Sequence, residues 1–226
     1  LESLGRVHRT QDVWDSLAML QDVYGSELSY SMDLISGVPG LSPAQWTETL
    51  NTAVHLQPKP SHLSVYDLQI EGGTVFGKWY DSDRESTFHQ TRGELPATAL
   101  ALPSEEECAF MYKYAAGYLR SKGYEHYEIS SYALRQDSNQ PSPTRSKHNQ
   151  IYWATDSQWY AVGLGATSFA GESLTARPRT MSDYIHWVDQ QEAFPELQAA
   201  FVEDFDLLTD VVLKRLRTSE GLSLEW

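Results

Sequence analysis

Hydrophobic and polar residues alternate along residues 28–35, and this alternation predicts a β-strand. Successive side chains of a strand point to opposite faces, so a period of two gathers the apolar residues on one face. One face would carry Leu28, Tyr30, Met32 and Leu34, and the other Ser29, Ser31, Asp33 and Ile35. Glycine and proline at residues 37–40 predict a turn, and Ser42 followed by Pro43 predicts the start of a helix.

The rest of the chain continues as alternating helices and strands. Apolar residues at helical spacing predict helices over residues 10–24 (with Thr10 as cap), 43–56, 105–122, 181–190 and 201–217. Strands are predicted over residues 62–68, 124–130 and 159–162. Because a helix that links two strands usually makes a parallel unit, the first two strands should be parallel with a right-handed crossover. Polar stretches predict a surface loop at residues 81–98 and a linker at residues 137–147.

Each of the first three strands carries a polar row on one face. The rows are Ser29, Ser31 and Asp33; His62, Ser64 and Tyr66; and His126, Glu128 and Ser130. A strand buried on both faces normally has a continuous apolar sequence. The rows therefore favour a sheet that borders a wet cleft or lumen. The alternative is that they face solvent at the edge of a sheet.

Composition and charge narrow the possible functions. The chain has 226 residues and a net charge of -14, which argues against partners that need a basic surface, namely nucleic acids and anionic membranes. Its single cysteine, Cys108, excludes an internal disulfide and a cysteine-rich metal site built from this sequence. No apolar run is long enough to predict a membrane span. No signal peptide is visible at Leu1, and we expect the chain to be a fragment.

Three places carry candidate chemistry. Asp33 lies near the carboxyl end of its strand, where α/β folds bind ligands, although a solvated strand-end carboxylate is the simpler alternative. Gly163-Leu164-Gly165 followed by hydroxyl residues would let a ligand approach the backbone, although most such pairs are tight turns. His148 stands close to Tyr152 and Trp153 and offers an imidazole ligand beside aromatic rings.

Several motifs occur in one order along nearly the whole chain. They are Asp33-Leu34-Ile35-Ser36-Gly37-Val38-Pro39-Gly40, Ser64-Val65-Tyr66 with Glu71-Gly72-Gly73-Thr74, Gly123-Tyr124-Glu125-His126-Tyr127-Glu128-Ile129-Ser130-Ser131-Tyr132-Ala133, His148-Asn149 with Tyr152-Trp153, Gly163-Leu164-Gly165-Ala166 and Leu216-Arg217-Thr218-Ser219-Glu220-Gly221. Together they resemble the radical S-adenosylmethionine heme chaperone family, proteins once described as oxygen-independent coproporphyrinogen III oxidases. The form His148-Asn149 followed by Tyr152-Trp153 is closer to the chaperones than to the true oxidase.

The resemblance implies an α/β fold. Residues 1–135 would form the carboxyl-side half of a partial (β/α) barrel with parallel strands. Residues 136–226 would form a smaller α+β region that carries the HNxxYW and GLG motifs and the start of a helical accessory domain.

The resemblance also implies cofactors. The complete family protein carries a [4Fe-4S] cluster on a CxxxCxxC loop, with S-adenosylmethionine on the open iron. This sequence lacks that loop, and Cys108 cannot supply three thiolates, so no metal ligands are predicted in it. Arg6 and Asp33 match family positions that contact S-adenosylmethionine; for Arg6 the alternative is a surface arginine beside a helix.

His148 resembles the family histidine that handles heme, and heme is therefore a further expected ligand; the alternative is a structural histidine. The resemblance implies a heme-binding and heme-transferring protein with heme or a porphyrin as its small molecule and a heme-acceptor protein as its partner. One alternative is a radical oxidase that decarboxylates coproporphyrinogen III, and another is an inactive homologue. Without the cysteine loop we expect the chain alone to be inactive in radical chemistry. We expect a cytoplasmic or organellar (mitochondrial or plastid) protein rather than a secreted one.

Overall fold

The computed structural model describes residues 4–71, 74–80, 100–136, 141–170, 173–193 and 206–223. The chain divides into two compact units, Leu1–Arg145 and Ser146–Trp226. The elements of unit 1 are α1 (Thr10–Tyr24), a 3-10 turn (Gly25–Glu27), β1 (Ser31–Ser36), α2 (Pro43–Val54), β2 (His62–Asp67), α3 (Val75–Trp79), α4 (Glu105–Ser121), β3 (Tyr124–Glu128) and β4 (Ser131–Leu134). Those of unit 2 are α5 (Lys147–Trp153), β5 (Thr167–Ala170), β6 (Ser173–Ala176), α6 (Met181–Ala193) and α7 (Leu207–Arg217).

Strands β1 and β2 are parallel and are joined through α2, as the sequence predicts. Their register runs from Ser31 opposite His62 to Ser36 opposite Asp67. Helix α2 begins where its local sequence indicates, because the Ser42 hydroxyl accepts a hydrogen bond from the backbone of Gln45. The prediction of a parallel βαβ unit is confirmed at this point of the chain.

The turn after β1 also agrees with the sequence. Gly37 and Gly40 have φ angles of 71° and 76°, a region that favours glycine. A Cβ atom at Gly37 would lie 2.7 Å from Oδ1 of Asp67, and one at Gly40 would lie 2.5 Å from Cδ1 of Leu100. The loop thus needs both glycines, for conformation and for space.

The prediction of a wholly parallel sheet is wrong. The strand order is β1-β2-β4-β3, and β4 is antiparallel to both of its neighbours. The strand predicted over residues 124–130 ends at Glu128, and the chain reverses through Ile129 and Ser130 into β4. A two-residue reversal lets β4 bury Tyr132 and Ala133 between β2 and β3, which a continued parallel strand could not do. Among the described residues the sheet is mixed.

The hydrophobic core lies on one face of this sheet, beneath α2 and α4. Its largest members are Trp46 and Leu50 from α2 and Met111 and Leu119 from α4, which pack with Leu63 and Tyr132 of the sheet. The indole of Trp46 donates a hydrogen bond of 3.0 Å to the backbone oxygen of Met111 and so joins the two helices. Full burial of one such side chain contributes about 1.5–3 kcal/mol to the free energy of unfolding.

Other elements differ in smaller ways from those predicted. Arg9 rather than Thr10 precedes α1, and the strand expected at residues 159–162 is a single bridge between Trp159 and Phe169. Helices α3 and α5 were not predicted. The loop expected at residues 81–98 lies outside the described residues, as does the predicted first part of α7. Within the described residues, no helix combines the length and apolarity that a membrane span requires.

Candidate functional site

A row of four polar side chains crosses the sheet on the face opposite α2 and α4. Asp33 of β1 stands opposite Ser64 of β2, Ser64 opposite Ser131 of β4, and Ser131 opposite Glu128 of β3. We call these four residues the polar row. At the usual strand spacing it is about 14 Å long. It has a carboxylate at each end and two hydroxyls between them.

The polar row is open at one end and closed at the other. Asp33 is exposed, whereas Ser64, Ser131 and Glu128 are 4%, 1% and 4% exposed. Oε1 of Glu128 accepts a hydrogen bond of 3.1 Å from Ser130, but Oε2 of Glu128 and Oγ of Ser131 are buried without a hydrogen-bond partner among the described residues. A buried polar group left unpaired costs about 1–3 kcal/mol. The closed end therefore offers two hydrogen-bonding atoms to a further group.

His62 lies in the next cross-strand row and is held at both ring nitrogens. Nδ1 lies 2.9 Å from the Ser31 hydroxyl, and Nε2 lies 2.8 Å from the Tyr127 hydroxyl. Burial lowers the pKa of His62, and the nearby carboxylates of Asp33 and Glu128 oppose that shift only in part. The imidazole of His62 is therefore neutral and is held in one orientation by its two hydrogen bonds.

Glu125 of β3 lies on the same face of the sheet as His62. Arg145 binds both of its carboxylate oxygens, with Nη2 at 2.7 Å from Oε1 and Nε at 3.2 Å from Oε2, and the backbone N–H of Ser142 donates to Oε2 at 2.8 Å. Burial alone would raise the pKa of Glu125, but these hydrogen bonds and the charges of Arg145 and Arg135 bring it below its ordinary value. The guanidinium of Arg145 also lies over the Tyr127 ring, at 5.2 Å from its centroid.

The two residues predicted to contact S-adenosylmethionine are not joined by a contact. Arg6 is exposed in the segment before α1, and Asp33 is exposed on β1. Neither side chain forms a hydrogen bond or an ion pair with another residue of the described chain. The carboxylate of Asp33 is thus accessible to a ligand, and the roles of both residues stay predictions.

Some residues of this face were not found from the sequence. The alternation of the strands singled out His62, Ser64 and Glu128, but it missed Ser131 because β4 was not predicted. It also missed Tyr127, since strict alternation puts that residue on the apolar face. The predicted alternation is wrong for β3: His126 pairs with and stacks on the core residue Tyr132, so it lies on the core face. Glu125 and Tyr127 share the face of His62, and the register shift after His126 brings Glu128 onto that face, opposite Ser131.

In unit 2, His148 begins a series of ring contacts that we call the aromatic chain. The centroid distances are 5.0 Å from His148 to Tyr152, 4.9 Å from Tyr152 to Trp159, and 5.1 Å from Trp159 to Phe169. His148 is exposed, and the ammonium group of Lys214 lies 4.8 Å from the centroid of Phe169. The imidazole therefore stands at the accessible end of the aromatic chain.

The GLG motif of unit 2 forms a turn. Gly163 and Gly165 have φ angles of 96° and 63°, and the N–H of Gly165 donates to the backbone oxygen of Pro178 at 2.8 Å. The hydroxyl of Ser168 accepts hydrogen bonds from the backbone of Ala161 and from Arg177. The motif therefore forms a tight turn, and the approach of a ligand to its backbone stays a prediction.

The described residues contain no cluster of three or more histidine, cysteine, aspartate or glutamate side chains that could hold a metal ion. Cys108, the one cysteine of the sequence, is partly buried on α4. A [4Fe-4S] cluster of the family type needs three thiolates, so the residues present do not fit that group.

No family model matches the chain. It is 35% identical over 185 residues to a protein named heme chaperone HemW from Synechocystis sp., a match that covers 82% of this chain and 38% of the relative. It is 29% identical over 223 residues to heme chaperone HemW from Bacillus subtilis, covering 99% of this chain and 52% of the relative. A third relative, radical S-adenosyl methionine domain-containing protein 1, mitochondrial, from Bos taurus, is 28% identical over 232 residues, which cover 99% of this chain and 46% of that protein.

Among solved structures, the chain is similar to the radical SAM enzyme coproporphyrinogen III oxidase (HemN) from Escherichia coli. The TM-score is 0.59 with 18% identity, over 84% of this chain and 40% of that chain, which shows a shared fold. The chain spans 38% to 52% of the length of these three sequence relatives. The resemblance drawn from the sequence motifs is confirmed: the chain is a relative of the proteins named heme chaperone HemW and radical S-adenosyl methionine domain-containing protein 1.

Proposed function

We propose that this chain is the heme-binding part of a radical S-adenosylmethionine heme chaperone, which binds heme and passes it to an acceptor protein. The observation that carries the proposal is the exposed imidazole of His148 at the end of the aromatic chain. The names of the relatives support the choice of heme over other ligands of an imidazole.

The local structure suits His148 to this role. Its helix begins at Lys147, because the Ser146 hydroxyl accepts a hydrogen bond of 3.3 Å from the backbone of Asn149. The Tyr152 ring lies one helical turn further along and contacts the imidazole edge to face, at an interplanar angle of 78°. A neutral imidazole ligates heme iron through a ring nitrogen. The ring contact limits the orientations of the imidazole, and exposure leaves it open to a large planar ligand.

Replacement of His148 by alanine should weaken heme binding about tenfold or more, since it removes the iron ligand. The measurement is a titration of the chain with ferric heme, followed by the Soret band. The matched control is His186→Ala, because His186 is also exposed and lies on α6 of the same unit. An unaltered Soret spectrum and an unaltered affinity in His148→Ala would contradict the proposal.

We further propose that the polar face of unit 1 is the inner wall of a partial (β/α) barrel, and that Asp33 and Arg6 bind S-adenosylmethionine there. The fold likeness to the oxidase and the accessible carboxylate of Asp33 support this. Asp33 would accept hydrogen bonds from the amino or ribose groups of the ligand, and Arg6 would pair with its carboxylate. A [4Fe-4S] cluster would supply the electron for radical chemistry, and the single cysteine of this sequence does not provide the three thiolates that would hold it.

The variants Asp33→Asn and Arg6→Gln should each weaken S-adenosylmethionine binding by roughly ten- to a hundredfold. Each substitution removes one charge-assisted contact, which contributes about 1.5–3 kcal/mol to the binding free energy. Isothermal calorimetry measures the effect, and Asp22→Asn on the exposed surface of α1 is the control. If both variants kept the parent affinity, neither residue would belong to the site.

Oxidation of coproporphyrinogen III is the alternative function. Its support is the fold shared with the oxidase, which does not by itself indicate an activity. The sequence relatives are named as chaperones or as radical S-adenosyl methionine domain proteins, and this favours heme transfer. A cytoplasmic or organellar location stays a prediction.

A further inference from the structure

We propose that Trp153 and Arg217 form a carboxylate-binding site in unit 2, and that the carboxylates of a porphyrin are its ligands. The choice of porphyrin rests on the proposed heme function. The carboxylate chemistry rests on the two side chains themselves.

The side chains of the two residues are in contact, and each carries a hydrogen-bond donor. Trp153 is the last residue of α5, and Arg217 is the last residue of α7. The guanidinium carbon of Arg217 lies 4.5 Å from the centroid of the Trp153 indole. Nε1 of Trp153 and Nε of Arg217 are both buried, and neither has a hydrogen-bond partner in the part of the chain that the structure describes. Buried N–H groups are nearly always paired, so two orphans in contact indicate an acceptor that binds there.

The surrounding charges favour an anionic acceptor. The last turn of α7 carries Lys214, Arg215 and Arg217. The ammonium group of Lys214 forms an ion pair with Asp210 at 2.6 Å, and Arg215 donates a hydrogen bond to the hydroxyl of Thr155 at 3.2 Å. Arg217 alone of these three has neither an ion pair nor a hydrogen bond with another described residue. The net charge of the whole chain is -14, so the positive charge of this turn is opposite in sign to that of the protein.

A carboxylate matches these donors. An indole N–H can only donate, a guanidinium can only donate, and a carboxylate can only accept. The planar fork of arginine binds carboxylate oxygens in pairs, and the ring of Trp153 holds that fork in place. A neutral acceptor would satisfy the N–H groups but would leave the charge of Arg217 without a partner.

The site lies near His148 but does not depend on it. His148 and Trp153 are the second and last residues of α5, so they are separated by about 7.5 Å along the helix axis and by more than one turn around it. They therefore face different sides of α5, and the proposal does not require one molecule to touch both. A metal-free porphyrin, which offers no iron to His148, can test the carboxylate site by itself.

The experiment compares two metal-free porphyrins that differ only in their carboxyl groups. Protoporphyrin IX, with two carboxylates, and its dimethyl ester are titrated into the full chain and followed by absorbance and fluorescence quenching. We expect the diacid to bind the parent chain about ten- to a hundredfold more tightly than the diester, as one charge-assisted contact would produce. The variants Arg217→Gln and Trp153→Phe should abolish most of this preference. Arg179→Gln, at an exposed arginine of the same unit, should keep it.

Equal binding of diacid and diester by the parent chain would overturn the proposal. An unchanged preference in both Arg217→Gln and Trp153→Phe would overturn it as well. Trp153→Phe removes the N–H donor and keeps a smaller aromatic ring, and circular dichroism checks that the variant is folded. Competition by succinate would show that the site accepts carboxylates in general, and its absence would show that the porphyrin ring is required; either result supports the site. Because no iron is present, these outcomes are independent of whether His148 binds heme.

Discussion

At the scale of single residues, His126 has its protonation state set by its neighbours. Nε2 lies 3.1 Å from the backbone oxygen of Ile129 and must donate, while Nδ1 lies 3.0 Å from Nη2 of Arg120 and must accept. The ring therefore carries its one proton on Nε2. It is also stacked on Tyr132, at 4.3 Å between centroids. Burial, the largest effect, lowers the pKa of His126, as does the charge of Arg120, while Glu128 and the hydrogen bond to Ile129 oppose the shift.

We expect the free energy of unfolding to fall as the pH drops below about 6.5, the ordinary histidine pKa. The folded state holds His126 and His62 neutral, so the unfolded chain binds more protons and gains stability in acid. Each such proton contributes at most about 1.4 kcal/mol per pH unit. Urea unfolding at several pH values between 7 and 5 measures the slope.

The variant His126→Gln should flatten this slope, because an amide can donate and accept without titrating. A slope that is the same in the parent chain and in His126→Gln would show that His126 does not titrate differently in the folded and unfolded states.

At the scale of elements, helices with local signals were predictable and the pairing of strands was only partly so. Helices α2 and α4 each begin with a capping box, at Ser42 with Gln45 and at Ser104 with Glu107, which are signals within four residues of sequence. Strand β4 has no such signal, because it is short and the reversal that joins it to β3, Ile129-Ser130, contains no glycine, proline, asparagine or aspartate. The polar face was predictable from alternation in β1 and β2 but not in β3, where His126 lies on the core face and the register shift after it puts Glu128 on the polar face.

Helix α1 shows a further limit of sequence patterns. Its apolar stripe, Val13, Trp14, Leu17, Ala18 and Leu20, predicts a helix, and the helix is present at Thr10–Tyr24. None of its residues is fully buried, and of the stripe Val13, Trp14 and Leu17 are partly buried whereas Ala18 and Leu20 are exposed. Amphipathic spacing thus predicted the conformation of α1 without identifying its packing partner.

At the scale of the whole molecule, β1 is an outer strand of the four-stranded sheet, and among the described strands only β2 pairs with it. Backbone N–H and C=O groups along the other side of Ser31–Ser36 are therefore available for pairing with another chain. Two copies related by a two-fold axis would pair their β1 strands in antiparallel orientation.

We expect the isolated chain to self-associate through this edge. Sedimentation velocity at several protein concentrations should show a sedimentation coefficient that rises with concentration, because edge pairing is bimolecular. Amide hydrogen exchange within Ser31–Ser36 should slow in step with association. A compact monomer at every concentration, with these amides already protected, would show that the edge is covered within a single chain.

The ion pair between Glu125 and Arg145 determines where the chain can be shortened. Arg145 is the last residue of unit 1 and follows β4, the last strand of the sheet, in the sequence. It nevertheless binds the carboxylate of Glu125 on β3. A truncation that ended unit 1 directly after Leu134 would remove Ser142 and Arg145 together and leave Glu125 buried without its donors. Loss of one partner of a buried ion pair costs about 3–5 kcal/mol, a large share of the stability of a small domain. The segment from Ser142 to Arg145 therefore stabilises the sheet through Glu125. A shortened protein that consists of unit 1 alone must keep this segment in order to fold.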